Sequence, residues 1–188
     1  MTHVQDALTS RRTIYRYSNK QVDEKYLEIG FEAARNAPCH KNTHPWRFYV
    51  LGRKARVELV PEVKRLAKEK IPDGKDSDAG VSRAVEKILS PPELICVTSS
   101  VCPQDKFREE EDYAATVCAV HNLILSLWGN GIGSQWSTGS ITRSDSAYRA
   151  IGASRENERI IGFIKIGYPE EVPTKNKKAI EEIRFFLP

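Results

Sequence analysis

Apolar residues at Val4, Ala7 and Leu8 fall at helical spacing and run into the charged pair Arg11 and Arg12, after which "TIYRYS" loses that period. The pattern predicts a short helix ending near the arginines. Asp23 stands as an N-cap ahead of Leu27, Gly30, Phe31 and Ala34, a face at i, i+3, i+4 and i+7 that stops before Pro38. That is a second helix. "WRFYVL", rich in aromatic and β-branched residues, reads as a strand. Val57, Val60, Val63 and Leu66 then predict a helix that Pro61 either starts or kinks.

The polar stretch "KIPDGKDSDAG", at 70–80, reads as a loop and as the most mobile segment of the chain. Val81, Val85, Ile88 and Leu89 form the next helix, halted by Pro91 and Pro92, and "ELICVTSS" follows as a buried strand. From about Glu109 to Trp128 runs the longest helix, whose half "YAATVCAVHNLILSLW" is apolar almost all round and therefore must be covered on every side, by its own chain or by a second subunit. "GIGSQWSTG" is a Gly-bounded strand or loop, a helix follows around Ser144 to Ile151, and "RIIGFIKIGYP" has the near-continuous apolar run of a strand covered on both faces. The tail "KNKKAIEEIRFFLP" mixes basic and apolar residues in a way that suits wrapping a neighbour. Interleaved helices and strands predict an α+β or α/β class with a central sheet.

Composition narrows the picture modestly. A length of 188 residues with 40% hydrophobic content fills one sizeable core, so a single domain over 1–188 is expected. The net charge of +4, from 29 basic and 25 acidic residues, suits an anionic small ligand as well as a phosphate backbone. Cys39, Cys96, Cys102 and Cys118 lack CxxC spacing, with two expected in a strand and a helix core; a reduced intracellular setting is the simplest account. Neither a signal sequence nor an apolar run long enough for a bilayer is visible, which predicts a cytoplasmic protein without a membrane partner.

The chemistry concentrates in a few places. "NAPCHKNTHPWRFYVL", residues 36–51, places His40, Asn42 and His44 at alternate positions before Pro45 and Trp46, more ring nitrogens and amides than a connector needs; a planar polar ligand would suit them. "RRT" at 11–13 joins two guanidinium forks to a hydroxyl, a set that grips phosphate, although arginines at a helix C-terminus also complement the macrodipole. No Walker loop exists, and "GNGIGSQ" is not followed by the helix a dinucleotide fingerprint requires. His3, His40, His44 and His121 contain one close pair with only Cys39 near it, so no metal is expected. Cys39 or Cys118 paired with a histidine lacks a supporting acid or elbow. His121 reads as a core or interface histidine and Trp136 as packing, yet glycines at 131, 133 and 139 would let backbone approach a flat ligand closely, with Ser137 and Thr138 beside it. The basic residues of RRT and KNKK are neither aligned on one helix nor interleaved with aromatics, which argues against nucleic acid.

Taken in order, RRT, "AP" with "H-x-N-x-x-P-W" at 37–46, "GIGSQWSTG" at 131–139 and "GFIKIGYP" followed by "KNKK" resemble the nitroreductase family of FMN-dependent oxidoreductases, and most closely its short members. The resemblance implies an α+β fold with a mostly antiparallel central sheet flanked by helices, in an entwined homodimer with FMN at the subunit interface. It implies that Arg11, Arg12, Thr13 and Lys177 hold the FMN phosphate, that Trp136, Ser137 and Thr138 lie by the ring, and that His40, Asn42 and His44 face it from the partner subunit. NADH or NADPH is the implied reductant, hydride passes through flavin N5 with no side chain assigned as catalytic, and the acceptor is a nitroaromatic, quinone or enone. A specialised relative, dehalogenating, flavin-fragmenting or azoline-oxidising, and a non-catalytic FMN-binding module are the alternatives. Three departures accompany the likeness: His44 stands where a glutamine is usual, Tyr15 where a basic residue near flavin N1 and O2 is common, and Lys177 where an arginine is commoner.

Overall fold

One antiparallel sheet with two apolar faces organises the chain. The computed structural model describes residues 3–70 and 77–188. Along them run α1 (Val4–Ser10), α2 (Glu24–Arg35), β1 (Trp46–Val50), α3 (Arg53–Lys70), α4 (Ser77–Leu89), β2 (Glu93–Ser100), α5 (Lys106–Gly129), β3 (Gly133–Ser137), α6 (Asp145–Ile151) and β4 (Glu158–Gly167). The strands lie in the order β1-β2-β4-β3, every neighbouring pair antiparallel. This is an α+β arrangement with helices on both sides of the sheet.

Strand alternation decides which helix meets which face. Ile95 and Val97 of β2, with Ile164 and Ile166 of β4, point to a core shared with α2 and α5. Leu94, Cys96 and Phe163 point the other way, to α3, α4 and α6. Because both faces of β2 are covered, its sequence reads as one continuous apolar run. Side-chain caps fix the helix starts: Asp23 accepts from the Lys25 backbone N–H at 3.0 Å before α2, and Asp105 from that of Arg108 at 3.0 Å before α5.

Three expectations change here. The helix at 53–70 begins well before Pro61 and continues past it, and its buried face is Arg56, Leu59, Val63 and Ala67, which shares only Val63 with the predicted stripe, for Val57 is 47% exposed. The reason is Arg56: its guanidinium donates to the carbonyls of Leu51 at 2.7 Å, Pro91 at 2.6 Å and Pro92 at 3.1 Å, rotating a charged residue inward to cap the backbone that feeds β2. Ser77 to Gly80, expected in the loop, are the first turn of α4, and the remainder of that loop, 71–76, lies outside the described residues. Finally, α5 is not covered all round within one chain. Ala119, Val120, Leu123 and Leu127 are buried, whereas Cys118 and His121 are exposed on the opposite stripe, so neither is a core residue.

The sheet edge and the tail are both left partly open. β3 has five residues and β4 has ten, so β3 pairs only with Phe163 to Gly167 and, among the described residues, the first half of β4 has no strand on that edge. Beyond β4 the chain returns past Tyr17 and Pro169, makes a short turn at Ile180–Glu182, and leaves Ile183, Phe185, Phe186 and Leu187 exposed.

Candidate functional site

At the start of β3 the two ends of the chain meet. Thr13 bridges Ser134 in parallel fashion, the Ile14 N–H donates to the Ser134 carbonyl at 3.0 Å, and the Ile14 side chain is fully buried. Gly133 permits this closeness: a Cβ there would lie 2.4 Å from Ile14 Cγ1. The glycine thus serves protein packing rather than a ligand, while Gly131, at φ 77°, makes the turn out of α5. Tyr17 ties the same segment to β4, its hydroxyl 2.9 Å from the Ile14 carbonyl and 3.2 Å from that of Lys165, and burial raises its pKa well above the ordinary phenol range.

With Ile14 turned inward, its neighbours face outward around a concavity of about 140 Å³ lined by Arg11, Arg12, Thr13, Tyr15, Lys175 and Lys177 with Pro173. Among the described residues four cations line it and no carboxylate does. The arginines differ, however. Arg12 Nη1 donates to the carbonyls of Thr9 and Arg11, each at 2.9 Å, and so caps the end of α1. Among the described residues, Arg11 has no such partner. Partial desolvation, and then the Arg11 charge, hold the His121 pKa below the ordinary imidazole value. Lys177 and RRT, 164 positions apart from Thr13 to Lys177, therefore line one concavity.

Trp136, Ser137 and Thr138 stand at the far end of β3, with Thr138 four residues beyond Ser134, about 13 Å along an extended strand. Their side chains part. The Trp136 indole lies across β4, where a Cβ on Gly162 would be 2.1 Å from its Nε1, and it donates to the Ile161 carbonyl at 3.3 Å. Ile161 sits at the register shift between β2 and β4, so the indole N–H meets a carbonyl that the irregular ladder leaves available. Ser137 lines a cavity toward α3 and α4, and Thr138 a larger one, about 830 Å³, against Tyr113, Arg143 and Arg159.

The histidine loop is elsewhere. Residues His40–Asn42 form a single 3-10 turn in which Lys41 and Asn42 have φ 52°, and His44 follows at φ 45°. Three non-glycine residues in the left-handed region persist only where surroundings hold them. Here α5 does so: the Thr43 hydroxyl donates to the buried Asp112 carboxylate at 2.6 Å, and His40 Nδ1 lies 2.9 Å from Glu111 Oε1. His44 stands edge-on to Trp46, ring centroids 5.5 Å apart, with its Nδ1 3.9 Å from Cys39 Sγ. At the other end of α5, the Trp128 indole donates to the Ser10 hydroxyl at 2.9 Å, beside Arg11. Sixteen residues of helix separate Asp112 from Trp128, about 24 Å. One chain therefore does not bring His40, Asn42 and His44 to its own arginines.

Among the described residues no cluster of three or more His, Cys, Asp or Glu side chains forms a metal centre, and no helix is long and apolar enough to cross a membrane. Sequence reasoning missed Lys165, which lies in β4 at 5% exposure with its Nζ donating to Gln135 Oε1 at 2.8 Å. Burial, and then the nearby Lys87 charge, push its pKa down to about 8. A lysine inside the apolar run "GFIKIG" was the available signal.

Comparison with known proteins agrees with this architecture. The model of the nitroreductase family matches residues 8–168. A putative NAD(P)H nitroreductase, YfhC of Bacillus subtilis, is 29% identical over 183 residues, covering 97% of this chain and 92% of that protein. The putative NAD(P)H nitroreductase YdjA of Escherichia coli K12 is 27% identical over 165 residues, 88% and 87% of the two chains. Among solved structures, a nitroreductase-like family protein from Bacillus cereus superimposes with a TM-score of 0.82 at 26% identity, covering 100% of this chain and 97% of that one. A putative nitroreductase from Desulfovibrio desulfuricans, solved in complex with FMN, shares the fold with a TM-score of 0.76 at 20% identity, over 100% and 98% of the chains.

Proposed function

The chain belongs to the nitroreductase family, and from that premise we propose that it is a cytoplasmic, homodimeric, FMN-dependent oxidoreductase. The observation that carries the reading is the acid-free cationic concavity at one end of the edge strand β3, with Trp136, Ser137 and Thr138 at the other. That spacing suits a ligand with an anionic terminus and a flat opposite end.

In this reading Arg11 and Lys177 hold the phosphate, Arg11 as a fork and Lys177 as a point charge, with the Thr13 hydroxyl adding a neutral donor. Arg12 fixes the end of α1 and adds its charge to the field. The backbone of Ser137 and Thr138 and the Thr138 hydroxyl orient the ring, and the Asp112-clamped loop of the second subunit brings His40, Asn42 and His44 over it. Bound FMN would supply hydride transfer at N5, taken from NADH or NADPH and passed to a nitroaromatic, quinone or enone in ping-pong fashion. Protein groups bind, aim and exclude water; protons come from solvent or a pocket hydroxyl.

The second subunit is supported by uncovered apolar surface. Val4, Leu8, Ile29 and Leu125 line a groove of about 330 Å³ between α1, α2 and α5, and the tail offers Phe185, Phe186 and Leu187. An absorption spectrum before and after anaerobic reductant tests the proposal. The expected result is a yellow protein that NADH or NADPH bleaches and that a quinone or nitroaromatic recolours. Protein that stays colourless in the presence of added FMN would refute it.

A further inference from the structure

On the α3 and α4 side of the sheet, the end of β3 opens onto a cavity of about 250 Å³. Leu66, Ile88 and Ile141 supply apolar wall, and Lys70, Lys87, Lys165, Ser137 and Ser140 are its polar members. Lys165 is the unusual one. An ammonium carries three N–H groups, yet at 5% exposure this one meets, among the described residues, a single neutral acceptor, Gln135 Oε1. Among the described residues no carboxylate pairs with it, and the charge acting on it is the like charge of Lys87. A buried cation without a counter-ion is costly to keep, and a leucine would serve β4 better. The lowered pKa of about 8 is the response expected of such a group.

We infer that this cavity binds a small aromatic carboxylate, its ring between Leu66, Ile88 and Ile141 and its carboxylate on the Lys165 ammonium, with Lys87 and the Ser137 hydroxyl as further donors. The volume falls just below the roughly 300 Å³ at which drug-sized sites begin, which fits one ring with a short polar substituent. Ser137 also belongs to the proposed ring end of β3, so the acid lies beside the flavin. The step from ligand to electron acceptor rests on the function proposed above and names the preferred acceptors as carboxylate-bearing nitroaromatics. Each first turnover converts the nitro group, reduced nicotinamide and one solvent proton to the nitroso compound, oxidised nicotinamide and water. Lys165 contributes only binding.

Calorimetric titration of the FMN-supplemented protein with benzoate and with benzamide separates the two claims. Benzoate is expected to bind about tenfold tighter than benzamide, the effect of one charge-assisted contact, and Lys165→Met should erase that preference while leaving FMN content unchanged. Equal binding of the two probes by the unmodified protein, no binding of either, or an undiminished preference in Lys165→Met would overturn the site. In steady state, 4-nitrobenzoate should exceed nitrobenzene in kcat/KM by about tenfold, falling to parity in the variant. A benzoate preference without that kinetic preference removes the acceptor assignment. Failure of the proposed FMN chemistry itself would show separately, as colourless protein that still binds benzoate.

Discussion

Arg11 and Arg12 are adjacent and chemically identical, yet the backbone gives them different tasks. Arg12 turns back to the last carbonyls of α1, and Arg11 faces the concavity without a partner among the described residues. Arg11→Ala should weaken FMN retention by about 1.5 to 3 kcal/mol, the worth of a contact to a charged group. Flavin fluorescence titration measures this, and equal dissociation constants for variant and parent would count against the phosphate site. At this scale the legible part was the contiguous polar set: RRT stands out because three gripping side chains occur together. Lys177 could be joined to it only through the family likeness, because its approach depends on how β4 and the tail return past Tyr17. Gly133 and Gly162 misled or stayed silent, since what they admit is Ile14 and the Trp136 indole, partners remote in sequence.

Elements were read well where one apolar period dominated. α2 follows its pattern because burial on one fixed face outweighs everything else along it, and β2 and β4 read as continuous apolar runs because both their faces are covered. α3 departs because an arginine with three carbonyl partners prevails over a stripe of valines, and hydropathy does not register such a group. The histidine loop was legible as chemistry but not as geometry; its left-handed residues depend on Asp112, a helix away in sequence. Asp112→Ala leaves Thr43 without its acceptor and should cost about 1 to 3 kcal/mol. Urea unfolding reads the loss, and hydrogen exchange should quicken at residues 40–44 ahead of the sheet. Unchanged stability together with unchanged exchange would show that something else holds the loop.

For the whole molecule, the separation along α5 is the governing fact. About 24 Å of helix stands between the loop and the arginines, so in the proposed site the loop comes from a second chain. The proposed dimer predicts a solution mass twice the 21.3 kDa of one chain. Leu125→Asp, placing a charge in the apolar groove, should weaken association by about 3 kcal/mol. Light scattering should then find monomer at micromolar protein, with flavin lost as the subunits part; a dimer of undiminished strength would remove α5 from the interface.

Each chain carries the left-handed turn at Lys41 to His44 ready-made, pinned to its own helix, so pairing would deliver a finished wall rather than a strand that must still settle on the ligand. The entropy of shaping that wall belongs to translation and folding of the single polypeptide. Release of a bound ring would then keep time with protomers drifting apart, and concentrated solutions would trap their colour longest.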